Sequence, residues 1–202
     1  MLALKKVAVT GGLSSGKSSV CRFFKELGAY VISADEIVHQ LLTPQTPLGQ
    51  QVVDLLGNDI IVDGKIDRSK TASKVFNNAK LLKGLEDLLH PAVRKKTQEE
   101  YQKALTKGDA SLFVVEIPLL FETGNEKEYD ATIAVISDPK ASMERFYYST
   151  GYGEDEYKRR MARQLSPEEK SKRAHFIIHN NGSLADLKNA VTNIYHQFNP
   201  SI

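Results

Sequence analysis

The sequence predicts an α/β fold in one compact domain, and three observations predict it. Five short apolar runs alternate with segments of helical periodicity, the order expected when helices connect the strands of a parallel sheet. The first run leads straight into Gly11-Gly12-Leu13-Ser14-Ser15-Gly16-Lys17-Ser18, which fits the pattern G-x-x-x-x-G-K-[ST]. At 202 residues and 41% apolar composition, the chain is long enough to bury one sizeable core.

The first element is Val7-Ala8-Val9-Thr10, a β-branched apolar run of the kind that forms a buried parallel strand. After the glycine-rich stretch, Val20, Phe23, Phe24 and Leu27 recur at i, i+3, i+4 and i+7, and Gly28 stands where the helix would end. Strand, glycine-rich turn and helix together form a phosphate cradle. Glycines let main-chain N–H groups turn inward, and the helix start adds free donors and a favourable dipole. In such a loop Lys17 reaches the β- and γ-phosphates and the Ser18 hydroxyl ligates Mg²⁺.

Tyr30-Val31-Ile32 reads as a second strand running into Ser33-Ala34-Asp35-Glu36, with Ser33 and Glu36 spaced as a capping box. A helix follows through Ile37, Val38, Leu41 and Leu42. Asp35 sits in its first turn at the carboxyl end of a strand, where open α/β sheets place ligands; spacing alone also allows a charge held by the helix dipole. Thr43 to Pro47 breaks the chain. From there to about Leu105 the pattern is helical with no convincing strand. One helix ends at Gly57, a turn stands at Asp63-Gly64-Lys65, and further helices run from Asp67 to Phe76 and from Ala79 to Leu89. His90-Pro91 then interrupts and restarts the pattern. This is more helix than a crossover needs, and it suits a segment that holds a second substrate over the loop.

Leu112 to Ile117 is the clearest buried strand. Glu116, near its carboxyl end, is either an acid that helps hold Mg²⁺ or a strand-capping charge. Ala131 to Ile136 forms the fourth strand, closed by Ser137-Asp138-Pro139, and a helix through Met143, Phe146 and Tyr147 follows. Residues Ser149 to Arg173 are highly charged. They read either as a solvated face with Asp155 and Glu156 paired to Arg159 and Arg160, or as a mobile lid whose arginines fold onto phosphates. His175 to Ile178 is the fifth strand, and Asn180-Asn181-Gly182 turns into a last helix from Ser183 to about Phe198.

Composition removes several classes of function. A net charge of +2 argues against extensive nucleic-acid binding. The single cysteine, Cys21, excludes a disulfide framework and a cysteine-based zinc site, and within a helix it reads as a packing residue. No apolar run approaches the roughly 18 residues that span a bilayer, and the chain opens on a strand instead of a cleavable signal, so a cytosolic location is expected. A GTPase switch is disfavoured because no N-K-x-D is present, and the D-x-x-G at Asp54 to Gly57 lies in a helical pattern. His90 is the one histidine singled out.

With these landmarks in place the chain resembles the dephospho-CoA kinase family over nearly its whole length. The matching stretches are Val9 to Ser18, Ile32-Ser33-Ala34-Asp35, Leu89-His90-Pro91, Ile117-Pro118-Leu119-Leu120-Phe121-Glu122, Arg163-Gln164 with Glu168-Glu169-Lys170, and Ile178 to Gly182. The resemblance implies a P-loop NTPase fold with a five-stranded parallel sheet (core 1–42, 110–145 and 174–202), a helical CoA-binding insertion over about 43–109 and a lid over about 146–173. It implies transfer of the γ-phosphate of ATP, with Mg²⁺, to the ribose 3′-hydroxyl of dephospho-CoA. The alternative is a kinase of the same fold acting on another small acceptor, such as a nucleoside monophosphate. Leu13, Ser14, Ser15, Gly16, Lys17 and Ser18 would hold the nucleotide phosphates, Arg145 would contact nucleotide, and Asn180 and Gly182 would lie beside the adenine. Asp35 would be general base and, with Ser18, a Mg²⁺ ligand; His90, Arg94 and Leu120 would meet the acceptor. Two departures stand out: Ser33 where many members carry an acid, and Phe146-Tyr147-Tyr148-Ser149 where the lid helix often has a second arginine, a role left to Arg159, Arg160 or Arg163. A monomer or weak homo-oligomer that binds neither nucleic acid nor membrane is expected.

Overall fold

The computed structural model describes residues 4–76 and 78–198. In chain order the elements are β1 (Lys6–Gly11), α1 (Lys17–Glu26), β2 (Tyr30–Ser33), α2 (Ala34–Leu41), α3 (Pro47–Leu56), β3 (Ile61–Val62), β4 (Lys65–Ile66), α4 (Arg68–Phe76), α5 (Ala79–Lys107), β5 (Phe113–Glu116), β6 (Ala131–Ile136), α6 (Pro139–Thr150), α7 (Glu154–Met161), α8 (Pro167–Arg173), β7 (Phe176–His179) and α9 (Leu184–Phe198). They fall into two compact units, residues 1–33 with 104–202, and residues 34–103.

The first unit carries a five-stranded sheet in the order β2-β5-β1-β6-β7, with every neighbouring pair parallel. The five apolar runs read from the sequence are these five strands. Alternation along the central strand builds a core on each face. Val7 and Val9 pack with Val114, Ile133 and Val135 against Val20 and Phe24 of α1 and Leu187 and Val191 of α9. Ala8 points the other way, onto Leu120 and Phe121, with Leu165 and Ala174 beside them. The chain leaves β1 towards β2 on one side of the sheet and later builds β6 on the other. The carboxyl end of β1 therefore lies at the point where the strand order reverses, the place where open α/β sheets bind ligands.

The second unit has its own core of Val52, Val53, Leu56, Ile60, Ile66, Val75 and Leu85. Two expectations for it are corrected. A strand pair does occur: β3 and β4 form an antiparallel hairpin, Ile61 opposite Ile66, closed by Asp63 (φ 49) and Gly64 (φ 73). Asp-Gly is a strong hairpin turn, but two-residue strands carry too little alternation to register as a pattern. The expected break at His90-Pro91 is also absent, because α5 runs unbroken through Pro91. A proline in a helix interior loses one hydrogen bond and crowds the carbonyl four residues back. Here Leu81, Leu85, Leu88 and Leu89 pack one face of the preceding turns onto the core, and burial outweighs local propensity. Among the described residues no helix is long and apolar enough to cross a membrane.

Candidate active site

The site grows from the loop between β1 and α1. Gly11 has φ 149, and a Cβ there would lie 2.3 Å from the main-chain oxygen of Val135, so only glycine lets the loop leave the sheet this close to β6. Gly16, at φ 100, is the left-handed residue that opens α1. Ser14 is also at positive φ, 54, a strained conformation of the sort that collects at ligand sites. Lys17 is 8% exposed, and its Nζ donates to the main-chain oxygens of Gly11 at 3.2 Å and Gly12 at 2.8 Å. The Ser15 hydroxyl is buried and has no hydrogen-bond partner among the described residues. A strained loop, an ammonium folded onto it and a helix start suit an anion with several oxygens.

Ser18, one residue beyond Lys17, donates from its Oγ to Glu116 Oε1 at 3.1 Å. Glu116 ends β5 and stands in register with Val9 of β1, which brings an acid to the side of the loop. A hydroxyl and a carboxylate are hard-oxygen donors, the pair that suits a nucleotide-bound Mg²⁺. Burial pushes the Cys21 thiol well up, with the Glu116 charge adding to it and Lys17 opposing. The thiol therefore stays protonated and acts as a packing residue.

The far wall comes from the turn after β7. Asn180 Nδ2 donates to the main-chain oxygen of Ser15 at 2.8 Å, joining residues 165 positions apart. Its own main-chain oxygen accepts from Arg145 Nη2 at 3.2 Å and from Ser137 Oγ at 3.2 Å, while Arg145 Nη1 donates to Ser137 Oγ at 2.8 Å. Arg145, Asn180 and the phosphate loop are thus tied into one network. Gly182 stands where a Cβ would meet Asp186 Oδ2 at 2.7 Å.

The other expected residues are placed as follows. Leu120 is fully buried beneath Ala8, while its neighbour Leu119 is the exposed member of the run. Asp35 is exposed in the first turn of α2, two residues past Ser33, the β2 residue in register with Glu116. His90 and Arg94 lie one turn apart on α5, half-buried and exposed respectively. These three belong to the second unit. In the charged segment, α7 approaches the loop: Met161 Cε would lie 3.5 Å from a Cβ on Gly12. Arg159 and Arg160 both pair with Glu156, and Arg160 also sits over the rings of Phe146 (5.5 Å) and Tyr152 (5.3 Å). The ring contact of Phe146 with Tyr157, 5.6 Å between centroids, completes the packing of α6 on α7.

Glu122 and Lys170, which carry no functional signal of their own in the sequence, meet in an ion pair at 3.0 Å, Lys170 buried and Glu122 half-buried. Both lie in stretches that carried the family resemblance. No local pattern could have paired them, because α8 reads as an ordinary charged helix.

The family model described as CoaE, dephospho-CoA kinase, matches residues 5–186. A dephospho-CoA kinase of Protochlamydia amoebophila is 49% identical over 198 residues, 98% of each chain. Among solved structures, TT1252 from Thermus thermophilus superposes with a TM-score of 0.83 at 31% identity, covering 96% of this chain and 97% of that one. A dephospho-CoA kinase from Campylobacter jejuni does so with a TM-score of 0.70 at 30% identity, over 98% of both. A phosphate loop at the switch point of a parallel sheet, and a family match that spans it, lead to one conclusion: this chain belongs to the dephospho-CoA kinase family.

Proposed function

We propose that this protein transfers the γ-phosphoryl group of ATP to the ribose 3′-hydroxyl of dephospho-CoA, giving CoA and ADP in the cytoplasm as the last step of CoA synthesis. The observation that carries the proposal is the β1–α1 loop, with Lys17 folded onto it and Ser18 against Glu116, in a chain of this family. Phosphoryl transfer asks for positioning and charge stabilisation more than covalent chemistry. Residues 13–18 cradle the phosphates, and the Lys17 amine moves from the loop carbonyls to the β- and γ-oxygens when nucleotide enters. Arg145, Asn180 and Gly182 hold the adenine end. Ser18, Glu116 and Asp35 would hold Mg²⁺, which supplies neutralisation of phosphate charge when bound.

Asp35 orients the acceptor hydroxyl and takes its proton. His90 and Arg94, one turn apart, hold the acceptor's phosphate and ribose groups, and buried Leu120 sets the floor of the 117–122 turn. The helical insertion, about 43–109, receives the CoA portion, and the lid, about 146–173, closes over the nucleotide and excludes water.

The test is a coupled assay of ATP consumption with and without dephospho-CoA, run beside nucleoside monophosphates as rival acceptors. ATP use that rises only with dephospho-CoA is expected; equal stimulation by a nucleoside monophosphate would reassign the acceptor. Asp35→Asn keeps the size of the side chain and removes the base. It should lower kcat on the order of 10²-fold or more. Turnover near the parent's would remove Asp35 from the chemistry.

A further inference from the structure

Lys170 is 0% exposed, a rare state for a lysine, and it lies outside the phosphate loop. Its Nζ donates to the main-chain oxygen of Pro118 at 2.8 Å and pairs with Glu122 Oε1 at 3.0 Å. That same Glu122 oxygen accepts the main-chain N–H of Leu165 at 2.8 Å, and Pro118 O also accepts from Thr10 Oγ1 at 3.1 Å. Thr10 immediately precedes Gly11, and Leu165 follows α7. The charge pair therefore ties the turn after β5 to the body of α8 and, through Leu165, to the segment between α7 and α8, and the Pro118 carbonyl it holds is the one that meets the end of β1.

The pair is a poor device for stability. Glu122 Oε2 is buried with no hydrogen-bond partner among the described residues, and burial pulls the Lys170 amine below its ordinary value against the pull of Glu122. An ion pair left part-satisfied in a low-dielectric interior is commonly matched or bettered by apolar side chains of similar volume. What apolar side chains cannot supply is a set of strong, directed hydrogen bonds to Leu165 N–H and Pro118 C=O. The two ends of α7 also differ. Its entrance, Gly151-Tyr152-Gly153, is exposed, with Gly151 at φ 75, whereas the short segment that leaves it is tied at Leu165, four residues past Met161, to this pair.

We infer, on the phosphotransfer proposed above, that Lys170 and Glu122 are positioning residues that fix the exit of α7 and the start of the phosphate loop to one point, so that α7 closes on the nucleotide about a stationary hinge. With the anchor gone, closure is misaligned, water reaches the γ-phosphate and ATP is held less firmly.

The double variant Glu122→Leu with Lys170→Met removes the charges and keeps the volume. Two readouts are compared with the parent. The first is the ratio of acceptor-independent to dephospho-CoA-dependent ATP turnover, which does not depend on the fraction of protein folded. The second is calorimetric affinity for a non-hydrolysable ATP analogue, which needs no acceptor. The ratio is expected to rise, and the affinity to fall, by about tenfold each, with the melting temperature close to the parent's. Both readouts within twofold of the parent would overturn the inference. Should the double variant fail to fold, Glu122→Gln is measured in the same two ways, and the same changes support or overturn the role of the pair. If the parent itself ignores dephospho-CoA, the acceptor assignment fails, and the calorimetric comparison still decides the role of the anchor.

Discussion

Replacing Lys17 with methionine is expected to lower kcat/KM for ATP by about 10²–10³-fold, the loss typical when one preorganised charged or hydrogen-bonding group is taken from a transition state. Methionine keeps the length and apolar stem of lysine, so the packing of a residue only 8% exposed is preserved. What disappears is the ammonium that bridges the oxygens of Gly11 and Gly12. Losing those two bonds is partly offset because methionine also removes the cost of burying an ammonium, so the net loss in the free protein is about 1–2 kcal/mol, a shift of a few degrees in Tm for a chain of this size. Activity and stability should therefore separate widely. Steady-state kinetics beside a thermal melt checks this, and a kcat/KM within tenfold of the parent would show that the amine does not meet the transferred group.

The glycine that starts the loop carries the second large effect. Gly11→Ala should destabilise the protein by about 3 kcal/mol, the upper end of what one strained backbone position costs, and lower Tm by roughly 10 °C. Two causes act together. At φ 149 an L side chain is strained, and the new Cβ would lie 2.3 Å from the main-chain oxygen of Val135, which belongs to β6 and cannot yield without disturbing the sheet register. Gly16 makes a useful control. There the nearest atom to an added Cβ is the side-chain amide of Asn180 at 2.2 Å, which can move once its bond to Ser15 O is given up. Gly16→Ala is strained as well, at φ 100, but with no fixed main-chain atom in the way it should lower Tm by less than Gly11→Ala while still weakening nucleotide binding. Melting and ATP titration of the two variants compare them directly.

Much of this protein is legible without coordinates, because the decisive signals are local. Val7 to Thr10, the glycines at 11 and 16, and the helical repeat from Val20 to Leu27 each express a backbone preference or a periodicity spanning a few residues. The five strands of the sheet follow for the same reason, each being a short apolar run. Glu116 is visible in the sequence as a strand-end acid, but its context leaves capping and metal binding equal. Its register beside β1 and the Ser18 hydrogen bond are what bring it to the loop.

Other features rest on groups that meet only when the chain is folded. Asn180 reaches Ser15 across 165 positions and Lys170 reaches Pro118 across 52, and neither side chain carries a local mark of its partner. The hairpin at Ile61–Ile66 and the passage of α5 through Pro91 go against the local pattern, because burial of Ile60, Ile66 and the leucines of α5 outweighs short-range propensity. By itself, the sequence determined the phosphate loop, the strand set and the class of chemistry, since each depends on neighbouring residues. Tertiary structure alone decided which distant polar groups close the site and brace α7, since a buried charge takes its partner from the whole fold.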